Sequence, residues 1–191
     1  MQTETPAHFL VIDLEATCDE DRRIPSRQME IIEIGAVVVD GATLLPVAEY
    51  QSFVRPVRHP VLTPFCTRLT SIKQEDVADA PLFPRALATL GAFVREHATP
   101  GSRLLFCSWG QYDKNQFEQD ASYHRVKLPL GSAHMNLKKR FADQLGQTKK
   151  LGMHEALETV GLSLLGSHHR AIDDARNIAR LLPWAVGRGL A

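Results

Sequence analysis

The strongest constraint on the fold lies in residues 8–17, HFLVIDLEAT, where an apolar run rich in β-branched and aromatic residues ends in two acidic side chains one place apart. Such a run predicts a buried strand. Alternation along a strand sets Leu10, Ile12 and Leu14 on one face and Val11, Asp13 and Glu15 on the other. Two carboxylates projecting together after an apolar run repel each other and lose hydration unless a cation compensates. The strand end is therefore either a solvated terminus or a cation site.

The next apolar run, EIIEIGAVVVD, is followed by Gly41, and the Asp40-Gly41 pair predicts a hairpin turn into LLPVAEYQSFVRP, making an antiparallel three-strand meander. Pro56 to Thr70, with Pro56, Pro60 and Pro64, reads as a loop, and Ser71 with Gln74 three residues later forms a capping-box pattern that opens a short helix. Phe83, Leu87, Leu90 and Val94 mark one face of a helix reaching about His97, after which Gly101 breaks the chain. RLLFCSW reads as a fourth strand and SAHMNL as a fifth. QYDKNQFEQDASYH, NLKKRFADQL and GMHEALETVG read as helices, the first with Asp113 near its start. A last helix places Ala171, Ala175, Ile178 and Leu182 on one face before Pro183 perturbs it. Three antiparallel strands followed by alternating helices and strands predict a mixed α/β domain, one five-stranded central sheet flanked by helices, which resembles a ribonuclease H-like arrangement.

With 191 residues, 44% hydrophobic and 23% charged, the chain suits a single domain over residues 1–191 that buries a core without disulfides. No apolar run approaches a membrane span and the start lacks a basic segment followed by an apolar one, so the expected location is the cytosol. Cys18, Cys66 and Cys107 are odd in number and form no CxxC pair, which predicts reduced thiols. Lysine plus arginine equals aspartate plus glutamate, 22 against 22, so any attraction for a polyanion is local. Candidate basic clusters are Lys138 with Lys139 and Arg140, Lys149 with Lys150, and His168 with His169 and Arg170; such runs are commonly solvated faces. The other histidines make no zinc motif, and Glu33 reads as a structural carboxylate.

HHRAIDDARNIARL is more specific. Five residues of α-helix rotate by about 140° and would point His169 and Asp174 apart, so for the two to meet His169 belongs on the lead-in loop and Asp174 in the early helix; the alternative is a surface histidine with Asp173 and Asp174 as capping aspartates. Asp113, following the fourth strand, either complements a helix dipole or faces the first carboxylate pair.

Together these segments resemble the DEDDh exonucleases of the DnaQ-like superfamily: Asp13-Leu14-Glu15-Ala16-Thr17 for the first motif, Asp113 within SWGQYDKNQF for the second, His169 to Asp174 for the third. FCTRLTSIKQEDV, EIIEIGAVVVD and NLKKRF are similar to the three-prime histone-mRNA exonuclease group and its bacterial sporulation-inhibitor-like relatives, with Ser71 standing where that group tends to have Gly. The resemblance implies 3′-to-5′ removal of nucleoside 5′-monophosphates from single-stranded nucleic acid, RNA above all. It also implies two Mg²⁺ or Mn²⁺ ions held by Asp13, Glu15, Asp113 and Asp174, since hard divalent cations take carboxylate oxygens. In that scheme Asp13 bridges both ions, Glu15 and Asp174 serve the water-activating one, and Asp113 supports the second through water. His169 is then the general base. The backbone after Glu15, at Ala16, and the Thr17 hydroxyl are implied to lie near the terminal 3′-hydroxyl, with Leu14, Phe65, Leu69 and Trp109 as contacts for the terminal base or sugar and Asn136 and Lys138 as further candidates. Two alternatives stay open: a DNA-directed repair or proofreading exonuclease, and a catalytically silent RNA-binding module.

Overall fold

The computed structural model describes residues 6–98, 104–131 and 133–189. Strands β1 (His8–Ala16), β2 (Ile31–Asp40) and β3 (Pro46–Phe53) form the expected meander. Helices α1 (Pro64–Thr70), α2 (Gln74–Ala78) and α3 (Phe83–His97) follow, then β4 (Leu104–Ser108), α4 (Tyr112–His124), β5 (His134–Asn136), α5 (Leu137–Gln144), α6 (Met153–Thr159) and α7 (Ala171–Ala185). The sheet runs β3-β2-β1-β4-β5, antiparallel across β1, β2 and β3 and parallel across β1, β4 and β5. The break expected at Gly101, the first residue of the fourth strand segment at Arg103, and Ser132 lie outside the described residues.

Helices cover both faces of the sheet because β1 and β2 are apolar on both. Phe9, Val11, Val37 and Val39 pack with Leu137, Phe141, Leu157, Ile178 and Leu182 from α5, α6 and α7. Leu10, Ile12, Leu14, Ala36 and Val38 pack with Leu87, Leu90 and Phe117 from α3 and α4. The stripe expected on α3 holds, with Phe83, Leu87, Leu90 and Val94 all buried.

Four local expectations are corrected. Residues 64–70 are helix, not loop: Pro64 occupies the first turn, where its missing N–H is not needed, and the Thr63 hydroxyl accepts the Cys66 N–H at 3.0 Å. Ser71 ends α1 in the left-handed conformation, with φ 61°, and so cannot open α2; there the Lys73 N–H is held by the Asp76 carboxylate at 2.8 Å. The β2–β3 turn is longer than a two-residue hairpin. Asp40 Oδ1 accepts from the N–H groups of Ala42 and Thr43, and Leu44, not Gly41, takes the left-handed backbone with φ 59°. Finally, α7 continues through Pro183 to Ala185.

Candidate functional site

Parallel pairing between β1 and β4 ends at Val11 and Cys107, so β1 runs on alone toward Asp13 and Glu15 on that side. The backbone N–H of Leu14 is taken there by Asp113 Oδ1 at 3.1 Å, which docks the first turn of α4 on the strand end. On its other side β1 stays paired with β2, Asp13 opposite Gly35 and Glu15 opposite Glu33. Gly35 lets α7 approach closely, because a Cβ at that position would fall on the Ala171 carbonyl and the Ile172 nitrogen.

Glu33, fully buried, fastens the chain entering α7. Its oxygens accept from Arg170 Nε at 3.1 Å and Nη2 at 3.2 Å, the Ala171 N–H at 3.1 Å and Gln51 Nε2 at 2.9 Å. It is the structural carboxylate the sequence suggested. One residue earlier, His169 adopts the left-handed conformation with φ 63°, and its N–H donates to Asp174 Oδ2 at 3.0 Å. The loop histidine and the first-turn aspartate are thus held as one unit, as the rotation argument required. His169 Nδ1 comes within 4.0 Å of Glu15 Oε1.

Asp13, Glu15 and Asp174 each offer an oxygen within 4.8 Å of the other two. Asp113 lines the same cavity, of about 460 Å³, but stands outside that trio. Burial, then the charges of Asp113, Glu15 and Asp174, hold the Asp13 carboxyl well above the usual carboxylate range. Burial, followed by Asp174 and Glu33, raises Glu15 to about 8. Asp174 is pushed to about 7 by burial against the relief of the His169 N–H, and Asp113 to about 6 by burial against hydrogen bonds that include the Leu14 N–H. Carboxyls this unwilling to ionise, with the buried Asp174 Oδ1 lacking any hydrogen-bond partner, form an oxygen donor set suited to a hard divalent cation. Burial also lowers His169 below the ordinary histidine value, favouring its neutral, proton-accepting form.

Of the other residues singled out in the sequence, Leu14, Ala16, Leu69, Trp109 and Lys138 line this cavity. Thr17 and Phe65 do not. The Thr17 hydroxyl is buried and accepts the Glu30 N–H at 3.0 Å, where the ladder breaks register after Glu15. Asn136 is spent on capping α5, accepting the Lys139 N–H at 3.0 Å. Tyr112 and Met29 also line the cavity and were missed, and His168, singled out only within a basic run, lines it too. For Tyr112, adjacency to Asp113 at the start of a helix was the available signal.

A family model described as exonuclease, RNase_T, matches residues 10–182. ERI1 exoribonuclease 3 of Mus musculus is 32% identical over 187 residues, covering 95% of this chain and 54% of the relative. The 3′-5′ exonuclease eri1 of Schizosaccharomyces pombe is 29% identical over 199 residues, covering 92% and 66%. The chain spans about half the length of the first of these relatives and about two thirds of the second. Among solved structures, the nuclease domain of 3′hExo, a DEDDh family member bound to rAMP, superimposes with TM-score 0.87 at 27% identity, over 94% of this chain and 91% of that one. A 3′-exonuclease in 3′-end-specific recognition of a histone mRNA stem-loop gives TM-score 0.88 at 25% identity, over 97% and 66%. Exonuclease I, at 12% identity and TM-score 0.70, shares the ribonuclease H-like fold alone. A family model running from β1 into α7, relatives matched over more than nine tenths of this chain, and carboxylates converging from β1, α4 and α7 lead to one assignment: the chain belongs to the RNase_T exonuclease family, among its DEDDh members and near the histone-mRNA 3′-exonuclease group.

Proposed function

We propose that this chain is a 3′-to-5′ exoribonuclease that releases nucleoside 5′-monophosphates from the free 3′-hydroxyl end of single-stranded RNA, with two Mg²⁺ or Mn²⁺ ions as cofactors. The observation that carries the reading is the Asp13, Glu15 and Asp174 trio within 4.8 Å, with His169 Nδ1 at 4.0 Å from Glu15. Asp13 would serve both ions, Glu15 and Asp174 would hold the one nearer His169, and Asp113, anchored by the Leu14 N–H, would hold the other; such ions would supply positive charge against the phosphodiester and the departing 3′-oxygen.

The remaining chemistry falls to the protein. His169 accepts the proton of the attacking water through its half-exposed imidazole, whose backbone is immobilised by Asp174 and, through Arg170 and Ala171, by Glu33. Leu14, Ala16, Leu69 and Trp109 give the cavity an apolar flank against which a terminal nucleoside can rest, and Lys138 offers a cation to a phosphate. RNA is preferred over DNA in this reading because the relatives at similar coverage carry the name exoribonuclease. The free thiols of Cys18, Cys66 and Cys107 suit a reducing compartment, and we take residues 1–191 as one exonuclease module of the cytosol.

Matched RNA and DNA 15-mers with free 3′-hydroxyls, digested in Mg²⁺ and identified by mass, test the proposal. RNA should shorten faster, to 5′-monophosphates, and excess chelator should stop it. Faster loss of DNA would transfer the chain to a DNA-directed role, and binding without cleavage in either metal would refute catalysis.

A further inference from the structure

A second cluster of metal-binding side chains shares Asp174 with the first but differs from it in donor type. His168 and His169 stack with ring centroids 4.0 Å apart and planes 20° from parallel. His168 Nε2 lies 3.8 Å from Asp174 Oδ2, and His154 of α6 stands 6.4 Å from His168, centroid to centroid. One atom each from His168, His169 and Asp174 falls within 4.8 Å of the others. The cluster adjoins the cavity, since His168, His169 and Asp174 all line it.

Two imidazoles and one carboxylate form a set that Mg²⁺, an oxygen-seeking ion, does not favour, whereas Zn²⁺ binds imidazole nitrogen readily. Tetrahedral Zn²⁺ with bonds near 2.0–2.1 Å holds its ligand atoms roughly 3.4 Å apart. The cluster must therefore contract and the two stacked rings must turn. Both side chains are only half-buried, at 42% and 41% exposure, and rotation about the bond to an imidazole ring is soft. Asp174 is itself 5% exposed and keeps Oδ1 unpartnered, so a buried oxygen without a hydrogen bond already marks this edge of the cavity.

We propose that His168, His169 and Asp174 form a nitrogen-rich site for Zn²⁺, and that filling it switches the nuclease off by withdrawing His169 and Asp174 from catalysis. The inhibition rests on the function proposed above, but the zinc site does not. His168 stands outside the Asp13, Glu15 and Asp174 trio and serves as the selective handle.

Calorimetric titration of Zn²⁺ in excess Mg²⁺, with the parent, His168→Asn and Asp13→Asn, tests the site without any need for turnover. One zinc per chain should bind the parent. His168→Asn should weaken it by about tenfold or more, the scale on which metal centres lose affinity even when an outer partner is removed. Asp13→Asn should retain it. Equal zinc affinity in parent and His168→Asn, absence of binding to the parent, or loss in Asp13→Asn alone would overturn the site, the last by showing that zinc merely occupies the Mg²⁺ position. In parallel, with each protein's rate expressed relative to its own rate in Mg²⁺ without zinc, His168→Asn should resist zinc inhibition. A parent that binds zinc at His168 and keeps its rate would overturn the switch. A parent inactive in Mg²⁺ would instead refute the exonuclease reading and leave the calorimetry decisive for the site.

Discussion

Asp13 is the residue on which the other carboxylates converge, since Asp113, Glu15 and Asp174 all raise its pKa. Asp13→Asn removes that charge at nearly constant volume, so turnover should vanish while the circular dichroism spectrum stays that of the parent. A folded variant with near-normal turnover would take Asp13 out of the site. His169→Ala should slow the reaction by about 10² to 10⁴-fold, the usual worth of a general base, and leave Mn²⁺ binding measurable by calorimetry. Because burial lowers the His169 pKa, the neutral base already predominates at neutral pH. The parent rate should rise with pH through an inflection below the ordinary histidine value and then level, and the variant should lose that inflection. Strand alternation put Asp13 and Glu15 on one face and helix rotation put His169 before α7, but each left a structural reading open, and it was the resemblance to the DEDDh exonucleases that joined them with Asp174 into one candidate site. The place of Thr17 was not legible: its hydroxyl is claimed by Glu30, thirteen residues on, through a break in register that no local pattern announces. His168 was visible only as part of a basic run, since stacking on its neighbour depends on the left-handed turn at His169.

Among the elements, α7 and β2 depend most closely on one another. Gly35→Ala would drive a methyl group into the first turn of α7, and overpacking of this kind destabilises by about 1–3 kcal/mol. Denaturant unfolding should register that loss, and turnover should fall with it, because the displaced turn carries Asp174; unchanged stability and rate would show that α7 can move without consequence. A milder effect is expected for Thr63→Ala, which deletes the cap of α1 along with a 2.7 Å hydrogen bond to the Cys18 carbonyl. Loss of an N-cap is worth about 1 kcal/mol, so the urea midpoint should drop without a change in slope. Helix α1 itself was hidden by its prolines. Pro64 breaks a helix in its interior and is at home in a first turn, and composition does not distinguish the two positions. Pro183 is a different case, since it lies inside α7 and forgoes the hydrogen bond to the carbonyl four residues back, yet the helix runs on only two residues beyond it. Long amphipathic stripes such as that of α3 were readable because burial on one side repeats every turn.

At the scale of the molecule, the antiparallel meander and the mixed α/β class followed from the run of strands succeeded by alternating helices and strands, whereas the sheet order, the parallel pairing of β4 and β5 and the loops that line the cavity depended on packing between segments far apart in the chain. That packing stores repulsion. Glu15 and Asp174 titrate near 8 and 7 when folded, against ordinary values of 4.5 and 3.8. Over the interval between, the folded chain holds more protons than the unfolded one, so stability without metal falls as pH rises. In chelator the melting temperature should decline from pH 5 to pH 8, and the increase produced by Mn²⁺ should be larger at pH 8, where the carboxylates are free to bind it. A flat chelator profile would mean that the repulsion is relieved in some other way. The parts of the site are also spaced along the chain: Asp13 on the first strand, Asp113 at the middle, and Asp174 on α7, the last helix. Segments so far apart can meet only once β1, α4 and α7 are all present and packed, so a fragment that stops short of α7 lacks Asp174 and the close seat against Gly35, and cannot assemble the trio.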